Sequence, residues 1–253
     1  MYDAFKILGY RPFHMAEVAM RPDHDATFMK IFEQALESEN NILSGIPRYS
    51  RADLDKWLAD YDVFIEVGSY FPQTTLHAYL DDPDVRFLLT ERDPDRWAAS
   101  FDAFVGGICL ATTSLPLNVL RYFDPVLWHL YQFNHLAYWL FSDKTSPAAP
   151  EVRRRRVLRR NYVNYIRTIK RSIPSDRLTV IKLEDGLGWK QLCAFTGDAV
   201  PSQSYPTGTE HNKIKEKYFQ ELILRASVKM VATVVPVIGI GVWAFLNRSS
   251  LAW

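Results

Sequence analysis

Residues Val85–Phe101, VRFLLTERDPDRWAASF, constrain what this chain can fold into more than any other stretch. Val85, Phe87, Leu88 and Leu89 form a short apolar run suited to a strand buried on both faces. Arg92-Asp93-Pro94 then turns the chain. Asp93 is placed to cap a helix, Pro94 suits its first position, and Trp97 and Phe101 lie four apart on one helical face. The unit therefore reads as strand, turn, helix. Arg92 stands at the carboxyl end of the strand, and Ser100 follows eight residues later, two turns into the helix. In open α/β sheets, ligands bind in the crevice at the carboxyl ends of the strands. A guanidinium there is a natural phosphate clamp, because its fork of donors matches phosphate oxygens.

The rest of the chain alternates in the same way. Residues 1–8 read as a helix, and Leu8–Val18 as a turn with a short extended piece. Asp25–Ser38 and Arg51–Asp60 read as helices, the second capped by Ser50 with Asp53 at its third position. Val63–Val67 is a strand, followed by a Pro-started helix around Gln73–Leu80. Thr113–Ser142 is long and aromatic and reads as two helices broken near Asp124-Pro125. After a polar loop at Asp143–Pro150 come a helix at Glu151–Ser172, a strand at Leu178–Lys182 and a helix at Gly188–Thr196. Strands alternating with helices predict an α/β domain, a parallel sheet with helices on both faces in three layers. With 253 residues, the chain is long enough for one sizeable domain of this kind.

Composition narrows the partners. A net charge of +1 gives no global pull towards nucleic acid, and no nucleic-acid partner is expected. Cys109 and Cys193 lie in apolar surroundings without ligand-type spacing, which fits reduced, buried thiols and no metal site. The first residues carry Asp3 and Lys6 and no long apolar run, so no signal peptide is read there. The arginines of RRRRVLRR, Arg153–Arg160, spread around a helix; they suit a solvated face or, for some, anionic headgroups.

Near the end, Met230–Leu246, MVATVVPVIGIGVWAFL, runs for 17 residues without a charge. At a rise of about 1.5 Å per residue it spans roughly 25 Å, slightly short of a hydrocarbon core of ~30 Å. Ala226–Val228 adds apolar length, Lys229 can snorkel to an interface, and Trp243 and Trp253 suit the interfacial belt. The expected organisation is an α/β domain over 1–224 and a transmembrane anchor over 225–253, a single-pass tail with the domain facing the cytosol. A packed final helix is the alternative, favoured by Pro236 and two glycines.

Four segments in order resemble the sulfotransferase superfamily, in particular its fungal-type branch of P-loop sulfotransferase-like proteins. They are LGYRPFHMAEV at Leu8–Val18, LADYDVFIEVGSYFP at Leu58–Pro72, the RDPxxW unit at Arg92, and LTVIKLEDGLGWKQLCAFTG at Leu178–Gly197, followed by a loop from Pro206 to Asn212. The resemblance implies a P-loop NTPase-like fold and PAPS (3′-phosphoadenosine 5′-phosphosulfate) as cofactor. It assigns Arg92 and Ser100 to the 3′-phosphate by their spacing. It further implies transfer of a sulfuryl group to a hydroxyl or amine of a small, lipophilic acceptor. Glu66, at a strand end, or His14, among Phe13 and Met15, would take the acceptor's proton. Ordinary structural roles stand beside these: Arg92 paired to Asp93 or Asp95, Glu66 salt-bridged to Arg92 or another base, and His14 as a packed histidine.

The departure from that family is at the start. The family opens with a strand and a turn of the type GxxRTGTxS, which cradles the phosphosulfate on backbone N–H groups. MYDAFKILGYRPFH reads as the helix that follows such a turn, with Ala4, Phe5, Ile7 and Leu8 on its apolar side. A sheet lacking its first strand is therefore expected, with an open slot beside Val63–Val67 and Phe87–Thr90 and an exposed apolar flank on the first helix. The protein as written is then either an enzyme missing its cradle or a non-catalytic, tail-anchored protein that retains the fold.

Overall fold

Four strands form among the described residues of the computed structural model, which are 1–15, 17, 26–40, 45–206 and 211–247, the side chains of 211–216 and 218 excepted. β1 (Pro12–His14) pairs with β2 (Val63–Ile65), and β3 (Phe87–Glu91) pairs with β4 (Leu178–Lys182). Both pairings are parallel, with His14 opposite Ile65 and Glu91 opposite Lys182. The parallel strands thus stand as two pairs, and no described strand joins them. β2 and β3 each have one strand neighbour, which leaves one edge of each without a strand partner. β3 is correspondingly less enclosed than its apolar run suggests, and only Leu89 is fully buried.

The helices are α1 (Tyr2–Ile7), α2 (Thr27–Asn40), α3 (Arg51–Leu58), α4 (Pro72–Tyr79), α5 (Pro94–Phe101), α6 (Gly107–Thr113), α7 (Leu117–Leu120), α8 (Pro125–Ser142), α9 (Glu151–Ser172), α10 (Trp189–Thr196) and α11 (His211–Leu246). Their starts follow local chemistry. Ser50 and Asp53 form a reciprocal capping box on α3, and proline opens α4, α5 and α8. Asp93 and Asp124 cap α5 and α8 by accepting backbone N–H groups of the first turn. β2 is shorter than its apolar run, because Glu66 takes a positive φ of 69° and turns the chain into a 3₁₀ segment at Val67–Ser69. Asp25, Val18 and Trp253 lie outside the described residues.

Alternate residues of β2 face opposite ways, as a strand requires. Val63 and Ile65 join α1 and α10 through Ala4, Phe5, Trp189, Leu192 and Cys193, and Leu88 of β3 packs on the same cluster. The apolar side of α1 is thereby largely covered, and Ile7 alone of its large apolar residues is exposed. Phe64 and Phe87 face the main core instead, with Phe13, Phe32, Leu54 and Phe71. The aromatic stretch Tyr122–Phe141 mostly serves this core: Leu127, Leu130, Phe133, Tyr138 and Phe141 are buried. Each such side chain removed from water contributes about 1.5–3 kcal/mol. α9 covers the other strand pair, laying Tyr162, Ile166 and Ile169 on Leu89.

α11 has two halves of different character. Leu222 and Ala226 are fully buried in the main core. Arg225 grips both oxygens of Asp124 at 2.9 and 2.7 Å, and Lys229 reaches Oδ2 at 2.8 Å. The Asp124 side chain is wholly buried and also accepts from Val126 N and Leu127 N. Lys229 is therefore tied back to the domain at the foot of the apolar run. Every residue from Val231 to Leu246 is exposed. Phe219–Leu246 is long and apolar enough to cross a membrane. Residue 225, where the sequence suggests that the domain gives way to the anchor, falls inside this one continuous helix.

Candidate functional site

The parallel pairing of β1 with β2 brings their carboxyl ends together. His14 closes β1, and Glu66 follows the last residue of β2. Their side chains meet, with His14 Nε2 3.1 Å from Glu66 Oε2. The Tyr70 hydroxyl donates to the other oxygen, Oε1, at 3.2 Å. Burial, and then the neighbouring carboxylate, raise the Tyr70 pKa well above the ordinary phenol value, so Tyr70 stays a donor at neutral pH. The backbone of Glu66 is clamped too: Ser69 N and Ser69 Oγ both donate to its carbonyl, at 3.0 and 2.6 Å. The Tyr2 ring lies 5.7 Å from the imidazole, and its hydroxyl donates to Glu17. His14 and Glu66 remain partly exposed.

Arg92 and Ser100 sit on the strand–turn–helix unit at the end of β3. The Arg92 backbone is fixed from α9, because its N–H donates to the Tyr162 hydroxyl at 2.8 Å. The next N–H, of Asp93, donates to Glu184 Oε1 at 2.8 Å. Trp97 stacks on Tyr162 at 4.4 Å and on Phe101 at 4.8 Å, locking α5 against α9. The side chain of Arg92 is left for other work. Asp93 is occupied as a helix cap and Asp95 pairs with Arg159, so neither takes the guanidinium. Among the described residues Arg92 makes no side-chain hydrogen bond or ion pair, and neither does the exposed Ser100 hydroxyl. An unpaired guanidinium and a hydroxyl on one rigid unit suit an anion with several oxygens.

The structure thus joins His14 to Glu66, and it keeps Arg92 and Ser100 on a separate strand pair. The salt bridge from Glu66 to Arg92 does not form; histidine and tyrosine are the partners of Glu66. Tyr70, Tyr162 and Glu184 are supporting residues that sequence reasoning missed. Tyr70 was within reach, four residues beyond Glu66 in a short helical segment. Glu184 lies just past the end of β4, where the same strand-end rule applies. Nothing local marks Tyr162, which meets Arg92 across 70 positions of chain. Of the arginine run, Arg154 is structural: it binds both oxygens of the mostly buried Asp102, which also accepts from Tyr138. Arg155, Arg159 and Arg160 pair with Glu151, Asp95 and Asp143.

Comparison with known proteins adds two findings. The sulfotransferase domain family matches residues 1–214. The Ava biosynthesis cluster protein M of Aspergillus versicolor is 23% identical over 265 residues, spanning 98% of this chain and 92% of that protein.

Proposed function

Because the chain belongs to the sulfotransferase domain family, we propose that it binds a 3′-phosphoadenosine nucleotide through Arg92 and Ser100 and serves sulfuryl transfer from PAPS to a small-molecule hydroxyl or amine. The observation that carries this is the unpaired Arg92 guanidinium, held at the carboxyl end of a parallel strand by a backbone pinned from two sides. Its donors fit the 3′-phosphate end of PAPS. The 5′ end has no such fit, since residues 1–253 contain no GxxRTGTxS-type turn. When bound, PAPS supplies the sulfuryl group and a bisphosphate leaving group.

The residues of this chain then have distinct work. Arg92 offers charge-assisted hydrogen bonds and Ser100 a neutral one. The His14–Glu66 pair takes the proton from the acceptor hydroxyl or amine. The two side chains are 3.1 Å apart, so a proton taken up by the imidazole lies against the carboxylate. Tyr70 fixes the carboxylate from the far side. We further read β1–β2 and β3–β4 as flanks of one P-loop-type sheet, three layers deep, with the open edges of β2 and β3 facing a common slot. Residues beyond Met230 in α11 would anchor the domain, 1–224, to a membrane from its cytosolic side. The Aspergillus relative is by its name a biosynthesis cluster protein, and a small-molecule acceptor for this chain is in keeping with that.

One observation favours a second reading. Among the described residues β2 and β3 each lack a strand partner on one edge, which suits a membrane protein that holds nucleotide without catalysis. A transfer assay separates the two. The full chain in detergent micelles is incubated with radiolabelled PAPS and a panel of phenols, alcohols and amines. Transfer by the wild type that is lost in His14→Ala supports the enzyme. Adenosine 3′,5′-bisphosphate binding without transfer to any acceptor supports the second reading.

A further inference from the structure

The segment from Ala103 to Phe123 holds 21 residues and a single charge, Arg121. It forms the π-helical turn, α6 and α7, yet much of its apolar surface faces outwards. Leu115 is 77% exposed and Tyr122 66%, with Phe104, Leu110 and Val119 also exposed. These are five of the eleven large exposed hydrophobics found among the described residues outside α11. A soluble surface rarely gathers apolar side chains so densely, and such patches mark contact sites.

The position of the segment says what it meets. α7 packs beside α11, where Leu120, Leu222 and Ala226 share one buried cluster. Asp124, two residues past Tyr122, holds Arg225 and Lys229, the last charged groups before the bare apolar half of α11. The patch therefore borders the place where α11 leaves the domain, and the buried ion cluster fixes the angle between them. Its composition is that of a membrane interface. Tyr122 lies 5.6 Å from the Trp128 ring, and the Arg121 guanidinium lies over Tyr131 at 3.8 Å and Tyr122 at 5.2 Å. Aromatic rings with a polar tip and an arginine with a buried stem favour the headgroup level.

We propose that Leu110, Leu115, Val119 and Tyr122, with Arg121, form a bilayer-docking face that lies in the headgroup region of the same membrane that α11 enters. This rests on the membrane reading of α11. The domain is then seated on the bilayer at two points and cannot swing freely about the helix.

The test uses the full chain in phosphatidylcholine nanodiscs doped with a lipid carrying a nitroxide on its headgroup. An environment-sensitive fluorophore is attached at Leu115→Cys, Tyr122→Cys, Val200→Cys or Ile238→Cys in turn. Cys109 and Cys193 are buried, and burial pushes the Cys109 thiol up to about 12, so the introduced thiols react first. Residues 115 and 122 should lose most of their emission, and the exposed Val200 position should keep it. The doubly charged variant Leu115→Glu/Tyr122→Glu should abolish quenching of a probe at Val119→Cys. Position 238 reports separately on the helix, with a lipid quencher placed in the acyl chain. Quenching at 238 with none at 115 and 122 overturns the docking face and leaves the anchor standing. Quenching at 115 and 122 without any at 238 overturns the anchor, and with it the proposal that the face lies beside an entering helix. Equal quenching at 115, 122 and 200 means the whole domain adsorbs, and the patch has no special role. Cross-linking between probes at 115 on two chains, without quenching, assigns the face to a second copy and overturns the proposal.

Discussion

Glu66 holds backbone angles that few residues adopt, φ 69° and ψ −40°. For a side chain with a Cβ, such a conformation costs about 1–3 kcal/mol and persists only where its surroundings enforce it. Here Ser69 bonds to the carbonyl, while His14 and Tyr70 hold the carboxylate. The strain aims the carboxylate at the imidazole. We predict that His14→Ala lowers sulfuryl transfer by about 10²–10⁴-fold, the range for a general base, while leaving nucleotide affinity unchanged. Glu66→Gln should lower transfer less and leave the melting temperature near that of the wild type. A loss of nucleotide binding in either variant would mean that the pair is structural. Arg92 and Glu66 were picked out as strand-end residues, whereas Ser100 and His14 were candidates only through the family resemblance. Their partners were not legible, because the contacts of Glu66 with His14 and of Arg92 with Tyr162 come from distant chain segments that only packing brings together.

Among the elements, α11 depends on one buried carboxylate. Losing hydrogen bonds to a charged group costs about 1.5–3 kcal/mol, and Arg225 and Lys229 are partly exposed, so water can take up part of the charge left behind. Asp124→Ala should therefore destabilise the domain by about that much, seen as a lower melting temperature, and should free the foot of α11 to proteolysis. Burial alone would raise the Asp124 pKa, but Arg225, Lys229 and the Leu127 N–H outweigh it, and the net pKa is lowered. A lowered carboxylate pKa contributes stability that is fully present above the unfolded value of about 3.9 and is lost as pH falls through the folded one. Protection factors for hydrogen exchange along Leu222–Lys229 should accordingly stay high at neutral pH and fall only in strong acid. The open edges of β2 and β3 give a second prediction at this scale. Placing a strand and a GxxRTGTxS turn ahead of Tyr2 should raise the melting temperature, by pairing strand edges that have no strand partner among the described residues. An unchanged melting temperature would mean that these edges do not form a slot. The sequence announced the strands and helices well, since caps such as Ser50, Asp93 and Asp124 are local signals. It could not show that β1–β2 and β3–β4 stand as separate pairs, because sheet pairing is a tertiary outcome. The end of β2 at Ile65 was hidden for the same reason, since it follows from contacts to Glu66.

At the scale of the whole molecule, the chain combines a sulfotransferase family domain with a bare apolar helix whose foot is ion-paired to Asp124. The helix was legible in the sequence as a run without charge. Its attachment was not, because Lys229 reads from the sequence as a snorkelling residue, and only packing brings Asp124 beside it. The full chain should sediment with membranes and resist carbonate extraction, and deleting Met230–Trp253 should release it. A full chain that is soluble without detergent would contradict the anchor. The role of the domain itself is tested most directly by calorimetric titration of the full chain in micelles with adenosine 3′,5′-bisphosphate, on the wild type and Arg92→Ala. The wild type should bind, and the substitution should weaken binding by about 1.5–3 kcal/mol, roughly 10–100-fold, the scale of a charge-assisted hydrogen bond. Equal affinity in the two proteins, or no binding by either, would contradict the assignment of Arg92 to a nucleotide phosphate.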